Sequence, residues 1–383
     1  FCLHNYCFNN FVVFHVTEGY LLLLQTQLNL ITMNITRTHY GTLSNGSKVD
    51  IIELNNDKQI SIKILTYGGI IESIITPDEE GFLKNIVLGK DNIEGYEKDS
   101  SSIGALVGPT AGRISQGQFK IDDNSFALDN NGAKHNLHGG IAGLNKKVWT
   151  TELEKRADSV KLVLTFSSVD GEGGYPGNRI FKTTYILNNK NQLLIYFDAT
   201  TDKDTIINLT SHSYFNLSNE DDNIYDTKMM MNAQKALVVD SELIPDGQID
   251  YVLGTPYNFT RGAKLGEALK GMKEGIDRVY IINKAYGSFG ISAKAVDEKS
   301  GRTLDLVTDQ PGVVLYTSNH FDGSEMGRNG KPLIKHGAFC LEPQHFPDAP
   351  NHSTFPSIIL RGGEKYKSRN QFTFGLVSHS HHH

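Results

Sequence analysis

Short apolar runs that alternate with polar residues, punctuated by glycine and asparagine, recur along most of the chain. Residues 182–187 and 193–200 are alternating or rich in β-branched and aromatic side chains. Asn188-Asn189-Lys190-Asn191 between them is turn chemistry, so the pair predicts a hairpin. Residues 292–296 and 303–308, flanking Asp297-Glu298-Lys299-Ser300-Gly301, predict a second hairpin, with a further strand at 313–317. The 37 glycines, many set between such runs, supply turns. One short helix is predicted, at 264–272. Strands do not alternate with helices, and no fixed-period repeat is present. The pattern predicts an all-β chain built as a large antiparallel β-sandwich with few short helices.

At 383 residues and 42.5 kDa the chain exceeds a usual domain, yet all-β sandwiches can run long as one unit, and 33–377 is expected to be a single domain. Residues 1–32 precede Met33, lack a basic start and break their apolar runs with His15, Glu18 and Gln25. Neither a secretory signal nor a membrane span fits them, so they are expected to be a non-native or upstream leader. The end, 378–383, resembles a truncated purification tag. A net charge of -6 leaves no basic footprint for nucleic acid. Cys2 and Cys7 lie in the leader and Cys340 stands alone in the domain, which favours a reducing, cytoplasmic setting.

Three segments carry candidate chemistry. In residues 339–348 (Phe-Cys-Leu-Glu-Pro-Gln-His-Phe-Pro-Asp) an apolar, strand-like approach ends in Glu342, hemmed by Pro343 and two aromatic residues. Apolar surroundings raise a carboxyl pKa toward neutrality and make a general base; a plain strand-end Glu is the commoner use of such a residue. His138, followed by Gly139-Gly140, can project from a tight loop into a cleft. In residues 206–217 strand alternation puts Asn208, Thr210, His212 and Tyr214 on one polar face, which suits a hydroxyl-rich ligand, although a half-exposed polar sheet face also produces such a row. His135 and His138, or His345 and His352, have metal-like spacing, but no paired-Cys or His-Glu-x-x-His frame accompanies them, so no metal is expected. Residues 171–177 lack the Lys-Ser/Thr of a phosphate loop; Tyr175 and Pro176 are expected to shape the rim of a cleft. Alternation puts Cys340 on the face of Glu342 as a small core residue.

Eight segments together carry a resemblance. Gly108-Pro109-Thr110-Ala111-Gly112-Arg113-Ile114 comes first, then Asn136-Leu137-His138-Gly139-Gly140 and Asp170-Gly171-Glu172-Gly173-Gly174-Tyr175-Pro176-Gly177. After the 208–217 run come Leu243-Ile244-Pro245-Asp246-Gly247, Gly275-Ile276-Asp277, Gln310-Pro311-Gly312-Val313 and the Glu342 segment. In this order, from about Arg37 to Phe374, the chain resembles the aldose 1-epimerase (galactose mutarotase) family. The resemblance implies the supersandwich form of the β-sandwich and interconversion of the anomers of a free aldohexose such as galactose or glucose. It implies Glu342 as general base and His212 as general acid, on opposite sides of the sugar. Arg113, His138 and Asp277 would hold the sugar and Gln310 would line the same site, with no metal and no cofactor. The partner is a small-molecule sugar, with no nucleic acid and no membrane, on a monomer or homodimer. Pro109, Gly112 and the Gln344-His345-Phe346 run depart from the commonest family pattern, which bears on sugar preference more than on the reaction. A hexose-phosphate relative would need extra cations, for which Arg113 and Arg179 are the candidates. A noncatalytic sugar-binding module would lack the acid or the base, and a glycosidase would pair Glu342 with Asp277.

Overall fold

The computed structural model describes residues 32–220 and 222–378. The leader and tag segments lie outside the described residues except for Thr32 and Ser378. Three large sheets carry the fold. The widest has nine strands in the order Thr150–Lys155, Ser159–Ser168, Arg179–Asn188, Gln192–Thr201, Lys365–Leu376, Arg302–Thr308, Gly290–Val296, Lys228–Met231 and Ala263–Lys264. Every neighbouring pair in it is antiparallel. Both predicted hairpins form here, and the late strand Lys365–Leu376 is inserted between them. The first hairpin turns where Asn188 Oδ1 accepts from the Lys190 and Gln192 amides, at 2.9 and 3.2 Å.

A five-stranded sheet runs in chain order through Asn34–Thr42, Lys48–Asn55, Ser61–Leu65, Ile71–Pro77 and Leu83–Asn85. A second five-stranded sheet has the order Pro245–Tyr251, Lys235–Val239, Asp277–Ile281, Gly312–Tyr316 and Cys340–Gln344. The main core draws on all three: Ile52 and Leu54 from the first small sheet, Phe181, Ile195, Leu304 and Phe372 from the wide one, and Val313, Leu315 and Leu341 from the second small one. Along Arg179–Asn188 burial alternates residue by residue, so the wide sheet gives one face to this core and the other to water. The strand predicted at 313–317 forms as Gly312–Tyr316 but leaves the hairpin's sheet and joins the second small one.

Of the predicted helix only Leu265–Leu269 is α-helical. A second helix, Ile93–Lys98, is too short to show a 3.6-residue period. It starts where the Asn92 side chain caps the Gly95 amide at 2.9 Å. Among the described residues no helix is long and apolar enough to cross a membrane. The run 206–217 is not one strand. It stays extended while changing partners, from Ile359–Leu360 to Leu106–Val107 and then to Val87 and Phe339.

Candidate active site

The second small sheet supplies the floor of the site through its register. Tyr316 lies between Asp277 and Cys340, and two residues further along Val314 lies between Val279 and Glu342. Because side chains alternate, Asp277, Val279, Val314, Tyr316, Cys340, Glu342 and Gln344 share one face, while Tyr280, Val313, Leu315 and Leu341 enter the main core. Glu342 is therefore mid-strand, against apolar Val314, and not at a strand end as the sequence suggested. Pro343, which cannot donate to a ladder, is accommodated because Cys340–Gln344 is an edge strand.

His212 comes in on the extended 206–217 run, fixed by its own backbone: its amide donates to Ala105 O and its carbonyl accepts from the Gly104 amide, each at 2.9 Å. Its ring stacks on Tyr214 at 4.9 Å and meets His138 edge-on at 5.6 Å. His212 Nε2 lies 3.5 Å from Glu342 Oε1, and both residues are buried, at 5% and 3% exposure. The acid and base candidates are thus close neighbours and do not face each other across a sugar-wide gap. That spacing suits two oxygens bonded to one carbon.

Arg113 and His138 are set by one small ribbon in which Arg113–Ile114 pairs with Asn136–Leu137. His138 and Gly112 hold each other twice: the His138 amide donates to Gly112 O, and the Gly112 amide donates to His138 Nδ1, both at 3.0 Å. Glycine is required at 112, because φ is +74° and a Cβ there would come within 2.6 Å of Pro347, five residues past Glu342. The Gly112 bond also decides the tautomer. With Nδ1 accepting, the ring proton sits on Nε2, and His138 is a donor to whatever occupies the cleft.

His138, His212 and Glu342 offer ligand atoms within 4.8 Å of one another, a distance that a metal ion could span. A metal-binding imidazole donates its other N–H outward, whereas His138 accepts at that position. The tautomer fits a hydrogen-bond donor better than a ligand, in keeping with the sequence expectation of no metal.

Burial dominates the electrostatics. It pushes the Glu342 carboxyl well above its ordinary value, and the nearby Asp277 charge adds to this. It lowers His212 to about 4 and depresses His138 strongly, the latter with help from His212 and Arg113. Burial thus moves the two proton affinities in opposite directions, Glu342 upward and His212 downward, and at 3.5 Å their titration belongs to the pair. Asp277 keeps partial contact with the cleft, yet desolvation raises its carboxyl to about 6 against the pull of Arg113 and Arg278. Arg113 is half-buried, and among the described residues no carboxylate lies within ion-pair distance of its guanidinium. Its field reaches Asp277 and His138.

Gln310 is brought elsewhere. Its amide donates to Asp309 Oδ1 at 2.9 Å and its oxygen is 2.8 Å from His345 Nδ1, while His345 Nε2 meets the Tyr286 hydroxyl at 2.9 Å. No hydrogen bond joins Gln310 to Glu342 or His212. Tyr175 is not at a rim; it is fully buried and bonds Thr110 at 2.6 Å. Arg179, the second candidate phosphate cation, is also fully buried, donating to Gly177 O and Ser168 Oγ with its guanidinium over the Tyr175 ring. Cys340 is buried with its thiol pushed up by burial and by Glu342, which leaves it unreactive. Val314 and Tyr316 were not singled out from sequence. The parity of Gly312–Tyr316 relative to Glu342 would have found them, had the pairing been known.

Comparison with known proteins gives one answer. The family model described as aldose 1-epimerase matches residues 50–373. The chain is similar to the galactose mutarotase of Rattus norvegicus, 36% identical over 348 residues that cover 90% of this chain and 100% of the relative. It is 35% identical to the Homo sapiens galactose mutarotase over 90% of this chain and 99% of that one. Among solved structures, galactose 1-epimerase from Lactobacillus acidophilus NCFM superposes with a TM-score of 0.80 at 29% identity, covering 90% of this chain and 99% of its own. With the wide sheet, the ribbon and the buried Glu342–His212 pair in place, the chain belongs to the aldose 1-epimerase family.

Proposed function

We propose that this chain interconverts the α and β anomers of a free aldohexose such as galactose or glucose, with Glu342 as general base and His212 as general acid. The observation that carries the reading is the buried pair itself, 3.5 Å apart. Glu342 takes the proton of the anomeric hydroxyl while His212 gives one to the ring oxygen; the bond from the anomeric carbon to the ring oxygen breaks and the aldehyde forms. Rotation about the bond to the neighbouring carbon exposes the other carbonyl face. Reclosure returns the proton on the ring oxygen to His212 and that on Glu342 to the new anomeric oxygen, so both groups end as they began. Protons move and no electron is transferred, so the reaction calls for no redox cofactor. Positioned groups of this kind contribute typically ~100- to 10,000-fold each.

Around this pair His138 Nε2–H and the Arg113 guanidinium donate to sugar oxygens and the Asp277 carboxylate accepts from hydroxyls. The role of Gln310 in this scheme is to steady His345 beside the cleft. A hexose-phosphate substrate is less favoured, because Arg179 is committed inside the fold. A noncatalytic module would have no use for a buried acid–base pair. A cytoplasmic setting accords with the buried, unpaired Cys340, and the assembly is taken as a monomer or homodimer. The test is proton NMR of freshly dissolved α-galactose: the β-anomer signal should reach equilibrium faster with enzyme than without. Equal rates would leave a binding protein.

A further inference from the structure

A chain of ring contacts leads from His212 to the surface. Tyr316 lies on the site face beside Asp277 and is half-buried. The turn after it is tied to the strand that carries Asp277: the Thr317 amide donates to Ile276 O at 3.1 Å, the Ile276 amide to Thr317 Oγ1 at 3.0 Å, and Asn319 Nδ2 to Ile276 O at 2.9 Å. His320 is thus presented by a fixed turn. Its ring runs nearly parallel to Tyr316, 12° apart with centroids at 5.8 Å, and leans on Phe321 at 4.2 Å.

Both His320 nitrogens are committed. Nδ1 is hydrogen-bonded to the Tyr316 hydroxyl, and Nε2 is 2.7 Å from Ser101 Oγ. The Ser101 backbone carbonyl accepts from the Tyr214 hydroxyl at 2.8 Å. Two paths converge on His320 from His212: through Tyr214, with centroids at 4.9 and 6.5 Å, and through Tyr316, at 6.4 and 5.8 Å. His320 is nevertheless exposed. With both nitrogens used by Tyr316 and Ser101, what the exposed ring offers a ligand is carbon surface. An aromatic face carries negative charge density and attracts polarised hydrogens and apolar surface in preference to hydroxyl oxygens.

We propose that His320, braced by Tyr316 and Ser101, is a specificity-determining contact that receives the C–H face of an aldohexose whose C4 hydroxyl is axial. In such a sugar the hydrogens on C3, C4 and C5 form one continuous apolar patch. An equatorial C4 hydroxyl turns the C4 hydrogen to the other face and breaks the patch. The inference rests on the cleft being the sugar site of the proposed mutarotase.

The experiment measures kcat and KM by polarimetry for galactose and for glucose with the parent protein, His320→Ala and His320→Phe. A stacking contact is worth roughly three- to tenfold in affinity, so His320→Ala should raise the galactose KM by about that factor, raise the glucose KM by less, and change kcat little. Phenylalanine keeps a flat ring without the nitrogen bonds and should restore most of the galactose KM. An unchanged galactose KM in His320→Ala, an equal rise for both sugars, or no recovery in a normally folded His320→Phe overturns the proposal. A parent protein that accelerates neither sugar would instead sink the mutarotase reading, which keeps the two failures apart.

Discussion

Replacing Asp277 by asparagine should stabilise the protein above neutrality while impairing it as a catalyst. Desolvation lifts the carboxyl from 3.8 to about 6 even with Arg113 and Arg278 opposing it, so their attraction is already included in that value. A raised folded-state pKa means that the folded chain holds the proton more tightly than the unfolded chain. The associated stability is fully present below about pH 4 and is lost as pH rises through about 6. Two pH units at about 1.36 kcal/mol each set a ceiling of about 3 kcal/mol; because Asp277 keeps some solvent contact through the cleft, about 1–2 kcal/mol is the expected size. Asparagine keeps the shape and one carbonyl acceptor but has no charge to desolvate. The assay is urea unfolding of both proteins across the range from about pH 4 to about pH 8. The Asn variant should be more stable at the alkaline end, with the gap closing at the acid end. His212 acts with the opposite sign, since its depressed pKa gives stability present above 6.5 and lost as pH falls through about 4. That contribution is common to both proteins and largely cancels in the difference. A variant less stable than the parent at pH 8, or a gap independent of pH, would refute the reasoning. The sugar KM should meanwhile rise, a trade of stability against function at a buried charge.

Glu342→Gln removes basicity while keeping volume, and the enzymatic rate should fall by ~100- to 10,000-fold with the circular dichroism spectrum unchanged; a parental rate would remove Glu342 from the mechanism. His212→Asn should act mainly on kcat, because the proton to the ring oxygen is transferred only in the transition state. If it weakened affinity and left turnover intact, His138 would be the next candidate for the acid. The Glu342–His212 pair works with one proton, and burial lowers His212 to about 4. Turnover at saturating sugar should therefore hold through mild acid and fall only as pH approaches about 4, and an acid limb at the free imidazole value of about 6.5 would argue against a desolvated pair.

Legibility in the sequence followed the range of the interactions. The hairpin at Asn188–Asn191 is set by neighbours in the chain and could be read from it, whereas the glycines after His138 marked a tight loop without revealing that Gly112, 26 residues earlier, holds it. Glu342 stood out because a carboxylate ending an apolar run is a local anomaly, and His212 because it lies in a row of hydrogen-bonding side chains. Partner choice is not local. Alternation in 206–217 gave the direction of His212 and Tyr214, whose rings do stack, but nothing in that alternation reveals a segment that changes pairing partners within a few residues. The resemblance implied Gln310 as a lining residue, whereas cross-strand register put Val314 beside Glu342 and left the Gln310 amide to Asp309 and His345.

The same register explains why the site is poorly satisfied. Among the described residues, buried polar atoms without a hydrogen-bond partner include Thr210 Oγ1, His212 Nδ1, Ser213 Oγ and Gln344 Oε1, from the two segments that carry His212 and Glu342. A core selected only for stability would have paired or removed such groups, since each buried unpaired donor or acceptor costs on the order of 1–3 kcal/mol. Such atoms occur elsewhere in the fold as well, at Tyr96, Arg179 and Arg302 among others, but those beside His212 and Glu342 fit a wall that a hydroxyl-rich guest can satisfy. The burial that leaves those atoms unpaired is also what lifts Glu342 and depresses His212. Flooding the face with water would satisfy the polar atoms and return both groups toward their ordinary proton affinities, so the strain in this wall and the electrostatics of the pair have one physical cause.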